Sequence, residues 1–283
     1  MNLHKSKIEW CTHTWNPVTG CLHGCPYCYA RRQIARFEPH QCERPEEDYQ
    51  EGREEPFEHV AGNPGIVTEP VRLVDETGQY LRSTPYPWGF DPTMHEYTLN
   101  YPYKRKIPSL VFVSSMGDLF GEWVPIEWIR SVFNACERAP QHVYMFLTKN
   151  PRRYEALALN GQLPTGPNYW FGSTATRPTM PVWTRSGYHS FVSIEPMLES
   201  FEAEASLFRR VGWVIVGAQT GPGSRQHQPR PSWIEDVYDK CRDTHTPIFM
   251  KNSIETLWPP FPDMPQEWPK SMTDCIKPKK GGS

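Results

Sequence analysis

Three cysteines stand within one short run, Cys21-Leu22-His23-Gly24-Cys25-Pro26-Tyr27-Cys28. That spacing is too tight for disulfides among them and suits thiolate ligation of a metal. The other five cysteines, Cys11, Cys42, Cys136, Cys241 and Cys275, are dispersed. A chain of 283 residues can bury a core of its own, and cytosolic thiols stay reduced, so no disulfide framework is needed. Two kinds of metal centre fit the run. Structural zinc asks for four ligands, commonly from two C-x2-C pairs, and only one such pair is present, so His23 or a distant cysteine would have to complete the set. A [4Fe–4S] cluster held by three thiolates instead leaves one iron open to a cofactor or substrate.

The elements around the run decide where it would sit. Ile8 to Trp15 reads as a strand, Pro17 and Gly20 mark a loop, and Ala30 to Phe37 reads as the start of a helix. The cysteines therefore follow a first strand at its carboxyl end, where sites on barrel folds collect. After Pro108 the same unit recurs. Leu110–Val113, His142–Leu147, Tyr169–Gly172, Phe191–Ile194, Trp213–Val216 and Pro247–Met250 are apolar runs, each ending in polar or small residues. Helical faces lie between several of them: Ile126, Ile129, Val132, Phe133 and Cys136; Arg152 to Leu159; and Ile234, Val237 and Cys241 behind a capping box at Ser232. Seven strands alternating with helices predict an α/β fold with a mainly parallel sheet, as a barrel or open barrel whose site lies at the strand ends.

The pattern C-x3-C-x-aromatic-C, with Tyr27 as the aromatic, resembles the signature of the radical S-adenosylmethionine (SAM) superfamily. Longer stretches resemble an uncharacterised radical-SAM-like family frequent in phages and bacteria and related to spore photoproduct lyase-type barrels. They are Trp15-Asn16-Pro17, Ser114-Ser115-Met116-Gly117-Asp118-Leu119-Phe120, Leu147-Thr148-Lys149, Ser193-Ile194-Glu195-Pro196-Met197-Leu198 and Gly217-Ala218-Gln219-Thr220-Gly221-Pro222-Gly223. The resemblance implies a partial (β/α)6-type TIM-like barrel. It implies that Cys21, Cys25 and Cys28 bind a [4Fe–4S] cluster and that SAM chelates the open iron. One electron would then split SAM to a 5′-deoxyadenosyl radical that abstracts hydrogen from substrate.

It also implies roles at the rim. Tyr27 would pack near the adenine. Ser114, Ser115 and Asp118 occupy the amino-group position, though the usual Gly-Gly-Glu is absent, and they read equally as loop caps. Lys149 would hold the SAM carboxylate, or else pair internally with Glu195 or Asp118. Ser173 ends its strand beside them, Glu195 is placed for ribose or substrate, and Gly217 and Gln219 belong to a glycine-rich loop suited to adenine. Lys251 and Asn252 would face substrate. The implied partner is an electron donor of flavodoxin or ferredoxin type, and the implied substrate class is nucleotide or nucleic acid. The competing function is a non-catalytic binding module stabilised by zinc or an iron–sulfur cluster.

Composition bounds these readings. Net charge is −2, so no global basic field marks a nucleic-acid binder. Arginines from Arg152 to Arg230 are scattered and serve as phosphate contacts or as plain surface. No apolar run approaches the ~18 residues of a membrane helix, and no signal-peptide stretch opens the chain, so a cytoplasmic protein without membrane contact is expected. Residues 1–280 are expected to form a single domain. Within it, 38–108 is an irregular insertion, proline-rich and acidic from Glu38 to Glu58, with a small hairpin at Val71–Val74 and Gly78–Leu81. Residues 254–280 form a Pro/Trp-rich extension, and Gly281-Gly282-Ser283 reads as a remnant of cloning.

Overall fold

The recurrence of apolar runs and helical faces is realised as one large sheet, with the helices between its strands packed on one face and a C-terminal helix on the other. The computed structural model describes residues 3–37, 65–74, 77–258 and 263–276. In chain order the elements are β1 (His4–Lys5), β2 (His13–Trp15), β3 (Val18–Thr19), α1 (Tyr29–Phe37), β4 (Ile66–Val67), β5 (Val71–Val74), β6 (Tyr80–Thr84), β7 (Thr93–His95) and α2 (Tyr101–Lys104). The regular part follows: β8 (Leu110–Val113), α3 (Ile126–Glu137), β9 (Val143–Thr148), α4 (Pro151–Leu159), β10 (Tyr169–Thr174), β11 (His189–Ile194), α5 (Ala205–Arg210), β12 (Val214–Val216), α6 (Pro231–Asp243), β13 (Ile248–Met250) and α7 (Lys270–Ile276).

The main sheet runs β1-β2-β8-β9-β10-β11-β12-β13. Every pairing from β2 to β13 is parallel, and only β1 runs antiparallel on β2. This is an α/β fold with a mainly parallel sheet. Its end strands do not pair with each other among the described residues, so no closed barrel forms.

The period of two explains how a strand apolar throughout is buried on both sides. Val111, Val113, Tyr144 and Phe146 face α3 and α4, meeting Ile129, Val132, Phe133, Tyr154 and Leu157. Val214, Val216, Ile248 and Met250 face α5 and α6, meeting Leu207, Phe208, Ile234, Val237 and Cys241. The alternate residues, among them Phe112, Met145, Trp170, Phe191, Ile215 and Phe249, build a third cluster on the opposite face with Trp10, Trp213 and Met272. Cys136 and Cys241 are fully buried core thiols.

Three sequence expectations are adjusted. The first parallel strand covers only His13–Trp15, because residues 8–11 turn (Cys11 N–H to the Ile8 carbonyl, 3.3 Å) and send Trp10 into the third cluster. No capping box starts α6: Pro231 takes the first turn and Arg230 the cap position without a side-chain hydrogen bond, so Ser232 lies inside the helix. The described part of the expected irregular insertion, residues 65–74 and 77–108, contributes β4 and β7 to a β3-β7-β4 sheet, and the expected hairpin is present as β5–β6. His95, in β7, is buried and bonds Thr19 Oγ1 through Nε2 at 2.9 Å. The acidic stretch Glu38–Glu58, Cys42 and residues 281–283 lie outside the described residues.

The C-terminal extension has a definite place. It pairs antiparallel with the free edge of β13, with the Met250 N–H on the Pro265 carbonyl (2.8 Å) and the Glu267 N–H on the Ile248 carbonyl (3.0 Å). The Trp268 indole then donates to the Trp10 carbonyl at 3.1 Å. Among the described residues, no helix is long and apolar enough to cross a membrane.

Candidate functional site

A cavity of about 420 Å³ opens where the parallel strands end. Ser115 and Asp118 reach it from beyond β8, Lys149 from just beyond β9, Thr174 from β10, Glu195 from just beyond β11, Gln219 from beyond β12 and Lys251 from beyond β13. Cys21, Cys25 and Cys28 line its mouth together with Tyr27. Side chains at carboxyl ends converge because parallel strands all deliver their ends to one rim.

The cysteine loop is tied down at several points. The Cys21 N–H bonds the Phe90 carbonyl and the Cys28 N–H the Cys25 carbonyl, at 3.0 and 3.1 Å. Arg31 donates to the Cys21 carbonyl at 3.0 Å, and the Tyr29 hydroxyl to the Ser115 carbonyl at 2.6 Å. Arg32 spans the Tyr27 and Thr220 carbonyls at 3.2 Å each, clasping the glycine-rich loop. Burial pushes the Cys21 thiol up to about 12, with the charges of Asp118, Cys25 and Cys28 adding to it. A metal centre here would have to displace that proton. Burial, reinforced by Cys25, likewise raises the Tyr27 phenol to about 12.

The rim residues divide by what already holds them. Asp118 is almost fully engaged: Oδ2 accepts from His23 Nε2 (2.8 Å), the Thr148 hydroxyl (2.9 Å) and the Lys149 N–H (3.0 Å), and Oδ1 accepts from the Phe120 N–H (3.0 Å). Glu195 and Lys251 are ion-paired within the cavity wall. The Lys149 ammonium pairs with neither Asp118 nor Glu195. It makes no ion pair among the described residues and lies 5.5 Å from the centroid of the Tyr27 ring.

Four expected contacts do not reach the cavity wall. Ser114 sits at φ 58° in the turn after β8, its buried Oγ without a partner among the described residues. Ser173 accepts the Trp183 N–H at 3.0 Å, holding the β10–β11 connection. Gly217 leaves room for the Glu195–Lys251 pair, since a Cβ there would stand 3.1 Å from both side chains. Asn252 gives its N–H to Glu9 (2.9 Å) and accepts from Gln266 (3.0 Å), joining the rim to the N-terminal segment and the extension. Sequence reasoning missed Arg32, Tyr29, Thr148 and the cavity-lining Glu9 and Trp10. Only Thr148, at a strand end beside Lys149, carried a positional signal.

The donor set can be tested against the two metal centres. Among the described residues, no three His, Cys, Asp or Glu side chains converge tightly enough for a single metal ion. A cluster asks for a different arrangement, because each thiolate takes its own iron. Three thiols on one loop at a cavity mouth, with room beside them, suit that demand.

The fold and site define an α/β protein with a thiol-bearing cavity at the carboxyl ends of a parallel sheet. Over residues 5–258 the chain matches the family described as protein of unknown function, DUF5131, and it belongs to that family. No curated protein and no solved structure matches it.

Proposed function

We propose that this protein is a radical SAM enzyme, with Cys21, Cys25 and Cys28 as ligands of a [4Fe–4S] cluster and the adjoining cavity as the SAM site. The observation that carries this reading is the convergence of three thiols, an ammonium with no ion-pair partner among the described residues and the glycine-rich loop on one cavity. When bound, the cluster and SAM would supply reductive cleavage of the sulfonium and a radical that takes hydrogen from a substrate.

The chain's own residues bind, orient and exclude water. Lys149 offers its ammonium to a carboxylate from a strand end whose N–H is fixed by Asp118. Tyr27 and Phe90 give flat surface to a nucleoside, and Gln219 and Thr220 border it with polar groups. Trp10 and Phe112 form an apolar wall that keeps water from a reactive centre. The sequential parallel order from β2 to β13 supports reading the sheet as an open, partial (β/α)6-type barrel. An electron donor of flavodoxin or ferredoxin type is the proposed partner. The proposed substrate class, nucleotide or nucleic acid, rests on the sequence resemblance alone.

A second reading, a zinc-stabilised binding module, has one observation in its favour. His23 presents Nε2 to Asp118, the arrangement that backs metal-bound histidines, although His23 and the three thiols do not converge on one point among the described residues and would have to close up around a zinc ion. Anaerobic reconstitution with iron and sulfide separates the two. The enzyme reading expects a brown protein that releases 5′-deoxyadenosine from SAM with dithionite. One tightly bound zinc per chain and no SAM cleavage after reconstitution would overturn it.

A further inference from the structure

We infer that Asp118 is a positioning residue that, through His23, locks the cysteine loop onto the strand ends carrying Lys149, so that the loop is pre-formed before anything binds. Only the identity of what the loop later holds rests on the proposed function. An ionised carboxylate offers about four acceptor sites. Those of Asp118 are taken by His23, Thr148, the Lys149 N–H and the Phe120 N–H, at 2.8 to 3.0 Å, and the residue is 4% exposed. It borders the cavity yet has little left for a ligand. Its partners come from three places: the turn after β8, the end of β9, and the middle of the cysteine loop.

The loop's ends are held by other bonds, from the Gly20 N–H to the Met116 carbonyl at 3.0 Å and from Tyr29 to Ser115 at 2.6 Å. Between Cys21 and Cys25, Leu22 and Gly24 are exposed, and His23 alone of the three turns inward, edge-on to Trp123 at 4.7 Å. Bonds to a charged acceptor are roughly twice as strong as neutral ones. The His23–Asp118 bond is therefore the tie that holds the middle of the loop and sets it relative to Lys149.

The test uses the chelator-treated, metal-free chain. Each thiol's rate of alkylation by iodoacetamide is read by mass spectrometry. His23→Ala is expected to speed labelling of Cys21 by about ten-fold, the loss of one charge-assisted bond, while Cys136 and Cys241 stay protected. His23→Gln, whose amide N–H can reach Asp118, should restore the wild-type rate, and Asp118→Asn should act in the direction of His23→Ala. Equal Cys21 rates in wild type and His23→Ala, no rescue by His23→Gln, or equal acceleration at Cys136 would each overturn the inference. Because no metal is present, the result stands apart from the proposed function. A wild-type chain that takes up no iron would sink that function and leave the labelling result intact.

Discussion

Gly172→Ala tests whether the aromatic face of the sheet is packed as tightly as described. Gly172 lies in β10, opposite Leu147 of β9 and Phe191 of β11. A methyl group there would point into the Phe191 ring, and even the farthest of the three nearest ring carbons would stand 2.6 Å away. Relaxed carbon contacts lie at about 3.5–4.0 Å, so the ring must retreat by roughly 1 Å or more. It has little space to do so, being fully buried with ring centroids of Trp213 and Trp10 at 5.6 and 6.3 Å. Overpacking of this kind costs about 1–3 kcal/mol, and the hemmed ring argues for the upper end. Replacing glycine returns about 0.4–1 kcal/mol through the unfolded chain. The net is a loss of about 2 kcal/mol, and with a urea slope of about 3 kcal/mol/M the midpoint should fall by roughly 0.7 M. Phe191→Leu in the same background should be milder than the sum of the single changes, by about 1 kcal/mol. An unchanged midpoint for Gly172→Ala, or strict additivity with Phe191→Leu, would refute the packing argument. Trp10 links this cluster to the cavity wall, so a displaced Phe191 should also weaken ligand binding there.

The remaining expectations concern the site and the insertion. Cys28→Ala should abolish both the iron chromophore and SAM cleavage after reconstitution; persistence of cleavage would mean the ligands are assigned wrongly. Lys149→Ala should weaken SAM binding by about ten-fold or more in calorimetry while iron content stays at the wild-type level, as expected for a lost charge-assisted bond. Burial lowers His95 to about 4 from an ordinary 6.5. Its depressed value means the unfolded chain takes up the proton first, so stability falls as pH drops from 6.5 towards 4. Between pH 7 and 5 this amounts to about 2 kcal/mol, seen as a lower urea midpoint that His95→Asn should partly level.

The parts of the fold legible in the sequence were those decided by burial on both faces. Leu110–Val113 or Val143–Leu147 has no polar face to show, and a buried parallel strand is the element that tolerates this. Helices α3 and α6 announced themselves by a single apolar stripe. The three cysteines were legible because metal ligation compresses spacing into a local pattern. What was not legible depends on contacts between distant segments. Asp118 looks like a ligand or a cap from its neighbours, and only the approach of His23 and Thr148 reveals its acceptors as occupied. Trp10 continues an apparent strand pattern, yet a turn diverts it into the aromatic cluster. The β3-β7-β4 sheet escaped notice because strands of two or three residues are too short to show a period, whereas the β5–β6 hairpin was legible.

The pairing of residues 265–267 with β13 also guards the edge of the sheet. Without those residues β13 would present unpaired N–H and carbonyl groups, a template for pairing with a second chain. The Trp10 carbonyl and the Trp213 indole, bonded to Trp268 and to the Glu267 carbonyl, would lose their partners at the same time. The segment is therefore a guard against edge-to-edge association as well as a cover for the aromatic cluster.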